Sequence, residues 1–343
     1  MPTIPVSRLT DLTVGVLTAS GATRESAGVV ADSLVGADRA GHGSHGVLKL
    51  PSYVRDIRAG KLDPRAIPTV VGSTAATAQI DGEGGFGHLA ARAAADLAVN
   101  NARGTGLGAV AVSHAHHTGR LGGWSERIAA QGMIGMLVGA EGQPPYKVVP
   151  HGGRAGALAT NPVSWAIPRG PGKPPVLLDF ATSMISIGKL QLARTGDESV
   201  PAGSVLDAAG RPATDIEDFF DGGFLNPFGS YKGYSLGVVA ELLALGLSDG
   251  QRFGGAARSS CLFVLAIDPA PFRPLTDFFA HVGQIGDRIK ATPAADGAEV
   301  LLPGDPEERT RAKGGDHVMV ANATWQTLRR LGADVGVSEL VDS

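Results

Sequence analysis

Between residues 69 and 267, short β-branched runs alternate with segments of helical period. This alternation restricts the chain to an α/β architecture more tightly than any other feature. Thr69-Val70-Val71, Thr77–Ile80, Ala109–Val112, Ile134–Val138, Pro162–Ile167, Val176–Asp179 and Cys261–Ile267 have strand composition. Residues 88–103, 122–131, 186–193 and 232–247 read as helices, with Gly104 and Gly250 as stops. The stretch 196–232 is rich in Gly, Pro and Asp and reads as a long functional loop. Both ends of the chain are helical. The spacing predicts helices over 7–20, capped by Ser7, over 23–37, and from between Val47 and Pro51 to Gly60. It also predicts helices over 275–290, with Phe278, Val282, Ile285 and Ile289 on the inner face, and over 323–331.

A chain of 343 residues, 43% of them hydrophobic, can bury the cores of about two domains. The net charge of −3 and the lack of like-charge blocks argue against a nucleic-acid or polyanion partner. Cys261 is the one cysteine, which excludes an intramolecular disulfide and a thiolate cluster; it reads as a small core residue. No basic and apolar leader opens the sequence, and no apolar run approaches about 18 residues. The expectation is a cytoplasmic protein without a membrane span.

Gly82-Glu83-Gly84-Gly85-Phe86-Gly87 spells G-x-G-x-x-G between a strand-like and a helix-like segment, the setting of a dinucleotide fingerprint. The acidic residue that such a site carries about 20 positions on is missing, since 101–108 read Asn-Ala-Arg-Gly-Thr-Gly-Leu-Gly. A structural turn is the preferred reading. Histidines gather at His42 and His45 and at His114, His116 and His117. Three readings stand: a metal site, structural histidines at loop ends, or acid/base catalysis by an imidazole, which titrates near neutrality. No H-E-x-x-H spacing supports the metal, and none is expected. Ser44 can orient the neighbouring His45. Lys49, four residues further on, and Arg120 are cations that could hold a substrate carboxylate, or plain solvated charges. Asp179-Phe180-Ala181-Thr182-Ser183 ends an apolar strand with small hydroxyl residues, which suits ribose or phosphate binding and equally suits a helix cap.

Six segments recur in a telling order. They are Asp38-Arg39 with Ser44-His45-Gly46-Val47; His117-Thr118-Gly119-Arg120-Leu121-Gly122; Thr160-Asn161-Pro162; Leu178 to Ser183 with Gly188-Lys189; Lys232-Gly233-Tyr234; and Pro303-Gly304-Asp305. Together they resemble the non-Rossmann malate/L-lactate dehydrogenase family, which includes sulfolactate and ureidoglycolate dehydrogenases, diketogulonate reductase and cyclic-imine reductases. The resemblance implies a mixed-sheet, L-sulfolactate dehydrogenase-like α/β cofactor domain over residues 71–270. Residues 1–70 and 271–343 would then form a helical domain from both chain ends. It implies a homodimer with its site near the subunit interface, and it makes the Gly82–Gly87 segment a turn. It assigns proton transfer to His45 or His117, with Ser44 in support, and both histidines are carried forward. It places Lys49, Arg120 and Thr160 at the substrate. Asp179, Phe180, Ala181, Thr182, Ser183, Lys232, Gly233, Pro303, Gly304 and Asp305 would lie at NAD or NADP.

Four positions depart from the family pattern. Lys49 stands where Arg is frequent and lacks its bidentate fork. Ala159 replaces a glycine, and Asp305 replaces a glutamate. Lys189 stands where the cyclic-imine reductases carry Asp, which favours an oxo acid. The expected reaction is hydride transfer between nicotinamide and a small 2-oxo/2-hydroxy acid. An imine reductase on the same scaffold, a metal-dependent hydrolase and a binding module are the alternatives.

Overall fold

Apolar periodicity sorts the chain into two packed units that meet along one seam. The computed structural model describes residues 1–194, 200–248 and 259–337. The helical unit opens with a short strand β1 (Thr3–Pro5), then α1 (Val6–Ala19) and α2 (Arg24–Arg39). Ser7 does not cap α1: the helix begins one residue earlier, behind Pro5, with no side-chain cap. Thr23 does cap α2, its Oγ1 accepting the Ser26 N–H at 3.1 Å. Two 3₁₀ turns, Gly43–His45 and Val47–Lys49, lead into α3 (Leu50–Arg58).

The α/β unit follows: β2 (Thr69–Ser73), β3 (Thr77–Asp81), α4 (Gly87–Thr105), β4 (Leu107–Ala115), α5 (Leu121–Ala129), β5 (Ile134–Glu141), β6 (Val163–Ile167), β7 (Val176–Phe180) and α6 (Ile187–Arg194). The expected long loop is instead a small sheet, β8 (Val205–Leu206), β9 (Pro212–Ala213) and β10 (Phe224–Leu225), with the single turn α7 (Glu217–Phe220). Its strands are two residues long, too short to show a period, and it closes over Val205, Phe219 and Leu225. Residues 196–199 of that stretch and the Gly250 stop lie outside the described residues. Then come α8 (Tyr231–Gly246), β11 (Ser260–Ile267), α9 (Leu275–Lys290), α10 (Asp305–Gly314), β12 (His317–Met319) and α11 (Asn322–Asp334).

Among the described residues the main sheet has seven strands in the order β2-β3-β4-β11-β5-β6-β7, and the β3–β4 pair is parallel while the others are antiparallel. Side chains alternate across it, as a pleat requires. Leu137 and Leu262 join the core beneath α4 and α5, whereas Val138 and Cys261 face α8. The helical unit has its own core. Leu9, Leu12, Val30, Leu34, Tyr53 and Phe86 pack with Val318, Val320 and Leu328 from the far end of the chain, and β1 pairs antiparallel with β12.

Two features escape the sequence pattern. Helix α10 is polar on every side and buries no residue, so it carries no apolar period; Asp305, Glu307 and Glu308 in its first turn and Arg311 and Lys313 in its last suit the helix dipole. In α9 the expected inner face is half open, with Ile285 and Ile289 each 40% exposed and Gly286 its one buried residue.

The G-x-G-x-x-G segment joins β3 to α4 in the parallel crossover, but its concavities are filled by the protein. A Cβ on Gly87 would overlap the His116 carbonyl oxygen and lie 2.7 Å from that of His117. The loop is thus a tight turn that seats the backbone of 114–117. Gly87→Ala should cost about 2 kcal/mol or more of stability. Urea denaturation measures it, and an unchanged midpoint would refute the close approach.

Candidate active site

The seam between the units gathers imidazoles from both. Gly46, with extended backbone (φ −89°, ψ −155°), breaks the helical path, so His45 ends one 3₁₀ turn and Lys49 ends the next. His45 and Lys49 therefore do not share one continuous helix face. His45 Nδ1 lies 3.0 Å from Ser44 Oγ. Ser44 is pinned in turn by Gly188 of α6, where a Cβ would sit 2.7 Å from the Ser44 Cβ. From the other unit, His117 follows β4 and stacks on His45, with ring centroids 5.8 Å apart and an interplanar angle of 22°. His117 Nδ1 is 2.6 Å from the hydroxyl of Tyr53 on α3. That bond fixes the orientation of the imidazole and leaves Nε2 free of Tyr53.

The remaining histidines fan out. His114 (φ +51°) donates to Asp81 at 2.9 Å, His116 to Asp56 at 3.2 Å and His42 to Glu307 at 3.0 Å. Among the described residues, no group of three His, Cys, Asp or Glu side chains is placed to hold a metal ion. His88, fully buried, packs edge-on to His117 with centroids 6.0 Å apart, and neither of its ring nitrogens has a hydrogen-bond partner.

A cleft of about 350 Å³ opens in front of His45. Of the residues singled out from sequence, Ser44, His45, Arg120, Thr160, Asp179, Phe180, Ala181 and Ser183 line it. Thr182 turns away, its Oγ1 donating to the Thr160 carbonyl at 3.1 Å. His117 and Lys49 are not among the lining residues; the Lys49 ammonium lies 3.5 Å from Gln191 of α6. Lys232 is exposed at the start of α8, and Gly233 packs against the backbone of Phe228, which does line the cleft. The Pro303–Asp305 loop lies along the outer edge of β7, where Leu177 N–H donates to the Pro303 carbonyl at 2.9 Å. Burial would raise the Asp305 carboxyl, but Lys290 at 2.6 Å and the Leu302 N–H hold it below its usual range.

Arg120 is 5% exposed and already engaged. Its Nε lies 3.1 Å from Asp179 and its Nη1 3.2 Å from Glu126, and Glu126 also takes Arg311 at 2.8 Å. Burial pushes Asp179 up, opposed by Arg120. Sequence reasoning missed Tyr53 and His88. Tyr53 had a signal, since it stands four residues past Lys49 on one helical path; His88, inside an alanine-rich helix, had none.

The family model described as malate/L-lactate dehydrogenase matches residues 4–329. The chain belongs to that family. It is 35% identical to the L-lactate dehydrogenase of Cupriavidus necator over 94% of this chain and 95% of that one. It is 33% identical to the L-sulfolactate dehydrogenase of Methanocaldococcus jannaschii, over 95% of each chain. Superposed on the solved structure of that sulfolactate dehydrogenase, it gives a TM-score of 0.86 over 98% of both chains. A cyclic imino acid reductase of Pseudomonas syringae, named for pyrroline- and piperideine-2-carboxylate, is 31% identical over 96% of each chain. As a member of this family the protein is a dehydrogenase-type enzyme on a mixed-sheet α/β fold.

Burial, reinforced by Lys49, lowers His45 from 6.5 to about 3 and His117 well below its usual value, while burial and His116 lower His88 to about 3. These imidazoles stay neutral in the folded protein while the unfolded chain protonates them below about pH 6.5, so they make stability fall as pH drops. Asp38 acts in the opposite sense: burial raises it from 3.8 to about 7, so the folded form keeps a proton that the unfolded chain releases. The imidazoles win. With three lowered imidazoles against the raised Asp38 and Asp179 carboxyls, unfolding near pH 5 should take up protons on balance. Urea midpoints measured from pH 7.5 to 5 should fall steadily, and a flat or rising series would contradict the neutral histidines.

Proposed function

We propose that this enzyme moves a hydride between a nicotinamide nucleotide, NAD or NADP, and C2 of a small 2-oxo/2-hydroxy acid. One observation carries the reading: His45 lines the cleft, stacked on His117 behind it and within the electrostatic reach of Lys49. The residues present fit such a cofactor. Phe180, Pro162, Leu121 and Phe228 give the cleft flat apolar walls. The Lys189 ammonium offers a donor for phosphate oxygens, whereas the first turn of α5 already gives its Gly122 N–H to Asp179 at 3.0 Å. Asp179 to Ser183 would hold the nucleotide at the strand end, with Lys232-Gly233 and Pro303–Asp305 flanking it.

The nicotinamide supplies or accepts the hydride. The protein's residues do the rest. Lys49 pairs with the substrate carboxylate, and Thr160 bounds the same pocket. His45, which faces the cleft, gives its proton to the C2 oxygen in reduction and takes it back in oxidation. Ser44 holds the imidazole by Nδ1, and His117, braced by Tyr53, is the alternative donor. In the free protein Lys49, His42, Arg120 and Lys189 all press His45 toward neutrality, after burial. A bound carboxylate cancels part of that pressure and so raises the basicity of His45 where the proton is needed. Arg120, held by Asp179 and Glu126, acts as a fixed positive charge toward the developing oxyanion.

A cyclic imine substrate is the second reading, since the Pseudomonas relative acts on such acids. A protonated imine is a cation, however, and Lys49, Lys189 and Arg120 all face the same imidazole. The test is a panel of 2-oxo acids and cyclic imino acids with NADH and NADPH, followed at the nicotinamide absorbance. Turnover of 2-oxo acids is expected. His45→Ala should lower kcat by about 10²–10⁴-fold, and a larger loss in His117→Ala would exchange the two roles. Full activity in both variants would refute the assignment.

The chain division at residues 70 and 270, a cytoplasmic location and a homodimer belong to the same proposal. No helix among the described residues is long and apolar enough to cross a membrane. Helix α8 supports the homodimer. It buries small residues, Ala240 and Ala244 on the sheet and Gly233 and Gly237 beside Thr182, and leaves Tyr231, Val239 and Leu242 outward at 58%, 51% and 66% exposure. A helix apolar on both sides needs a second cover. Leu242→Asp should shift the mass measured by light scattering from dimer to monomer, and an unaltered mass would remove α8 from the interface.

A further inference from the structure

Asp38 lies outside the cleft, yet its carboxylate sits at the break between the two 3₁₀ turns. Oδ2 accepts the Val47 N–H at 2.8 Å, across nine residues of sequence. Val47 is the first residue of the turn that runs into α3, so Asp38 caps from a distance the helical path carrying Lys49 and Tyr53. The other side of the carboxylate is covered by Gly46, where a Cβ would overlap both carboxylate oxygens, and Gly43 stands 3.6 Å away by the same measure. The turn bearing Ser44 and His45 is thus clamped between Gly188 in front and Asp38 behind.

We infer that Asp38 is a positioning residue: through the Val47 N–H and its contact with Gly46 it sets His45, Lys49 and Tyr53 in register with one another and with His117. It touches neither substrate nor cofactor. This rests on the reading of the site as an oxo-acid dehydrogenase. Three groups, on the two 3₁₀ turns and on α3, depend on one capping bond, so a loosened cap should impair the substrate step. The nucleotide residues on β7 and α5 should be untouched.

The test compares Asp38→Ala, Asp38→Asn, Gly46→Ala and the Asp38→Ala/Gly46→Ala double variant of the full chain. Two quantities are read: kcat/KM for the best 2-oxo acid of the panel, and the Kd of NADH or NADPH by fluorescence. Asp38→Ala should lower kcat/KM by about 10–100-fold while Kd changes less than about twofold. Asp38→Asn keeps an acceptor oxygen for Val47 and should recover most of the loss. Gly46→Ala puts a methyl where the carboxylate stands and should copy Asp38→Ala. The double variant removes the clash and should be no worse than Asp38→Ala alone, a coupling that a general weakening of the fold does not produce. Unchanged kcat/KM in Asp38→Ala, equal losses in kcat/KM and cofactor affinity, or strict additivity in the double variant would each overturn the inference. If Asp38→Ala does not fold, Gly46→Ala and Asp38→Asn decide by the same two readouts. Absence of turnover in the unaltered protein would instead remove the functional reading itself.

Discussion

Strand β11 is the constraint on which the architecture depends. It enters the sheet between β4 and β5 and pairs with both along nearly its whole length, from Ser260 to Ile267. Until residues 260–267 arrive, β4 and β5 have no common neighbour, and α4 and α5 have no continuous surface to cover. Closing this gap late in the sequence is costly in loop entropy, because the segments joined are more than a hundred residues apart. The return comes from an alternating strand whose side chains fill both faces, Leu262 and Val264 on one and Cys261 on the other. With the sheet closed, the end of β4 is fixed, and His117 with it.

The seam of imidazoles then follows from two packed parts meeting. His117 is carried by the sheet, while His45, Lys49 and Tyr53 ride on the helical unit. The pairing of the chain ends, β1 with β12, locks that helical unit around its own core. Cations press on the imidazoles from Lys49, Lys189 and Arg120, so the empty site favours neutral histidines and an anionic guest. Substrate charge and proton affinity are thereby linked without a metal ion in the argument.

Much of this is legible in the residues. The strands of the main sheet and the helices that cover it carry strong periods, and every strand singled out from composition lies in that sheet. His45, Ser44 and the Asp179–Ser183 strand end stood out because glycines and hydroxyls surround them. The rest was hidden for physical reasons. Helix α10 buries nothing and so leaves no apolar signature. The β8–β10 sheet is made of two-residue strands. Tyr53 and His88 contribute through contacts between units, and such contacts have no fixed spacing along a chain. Arg120 looked like a free cation because neither Asp179, 59 residues away, nor Glu126 betrays the pairing in sequence.

The carboxylate of Glu126 is shared by two guanidinium groups, Arg120 at the cleft and Arg311 on the surface helix α10. A shared anion is a divided one: whatever draws Arg311 outward leaves more negative charge for Arg120, and whatever holds Arg311 inward leaves less. The tail of the chain thus has a hand on the field inside the cleft, though it contributes no atom to its walls. Changes in the packing or solvation of that polar helix would be felt as a retuned electrostatic potential at the Arg120 wall of the cleft, at a distance and without any movement of the backbone in between.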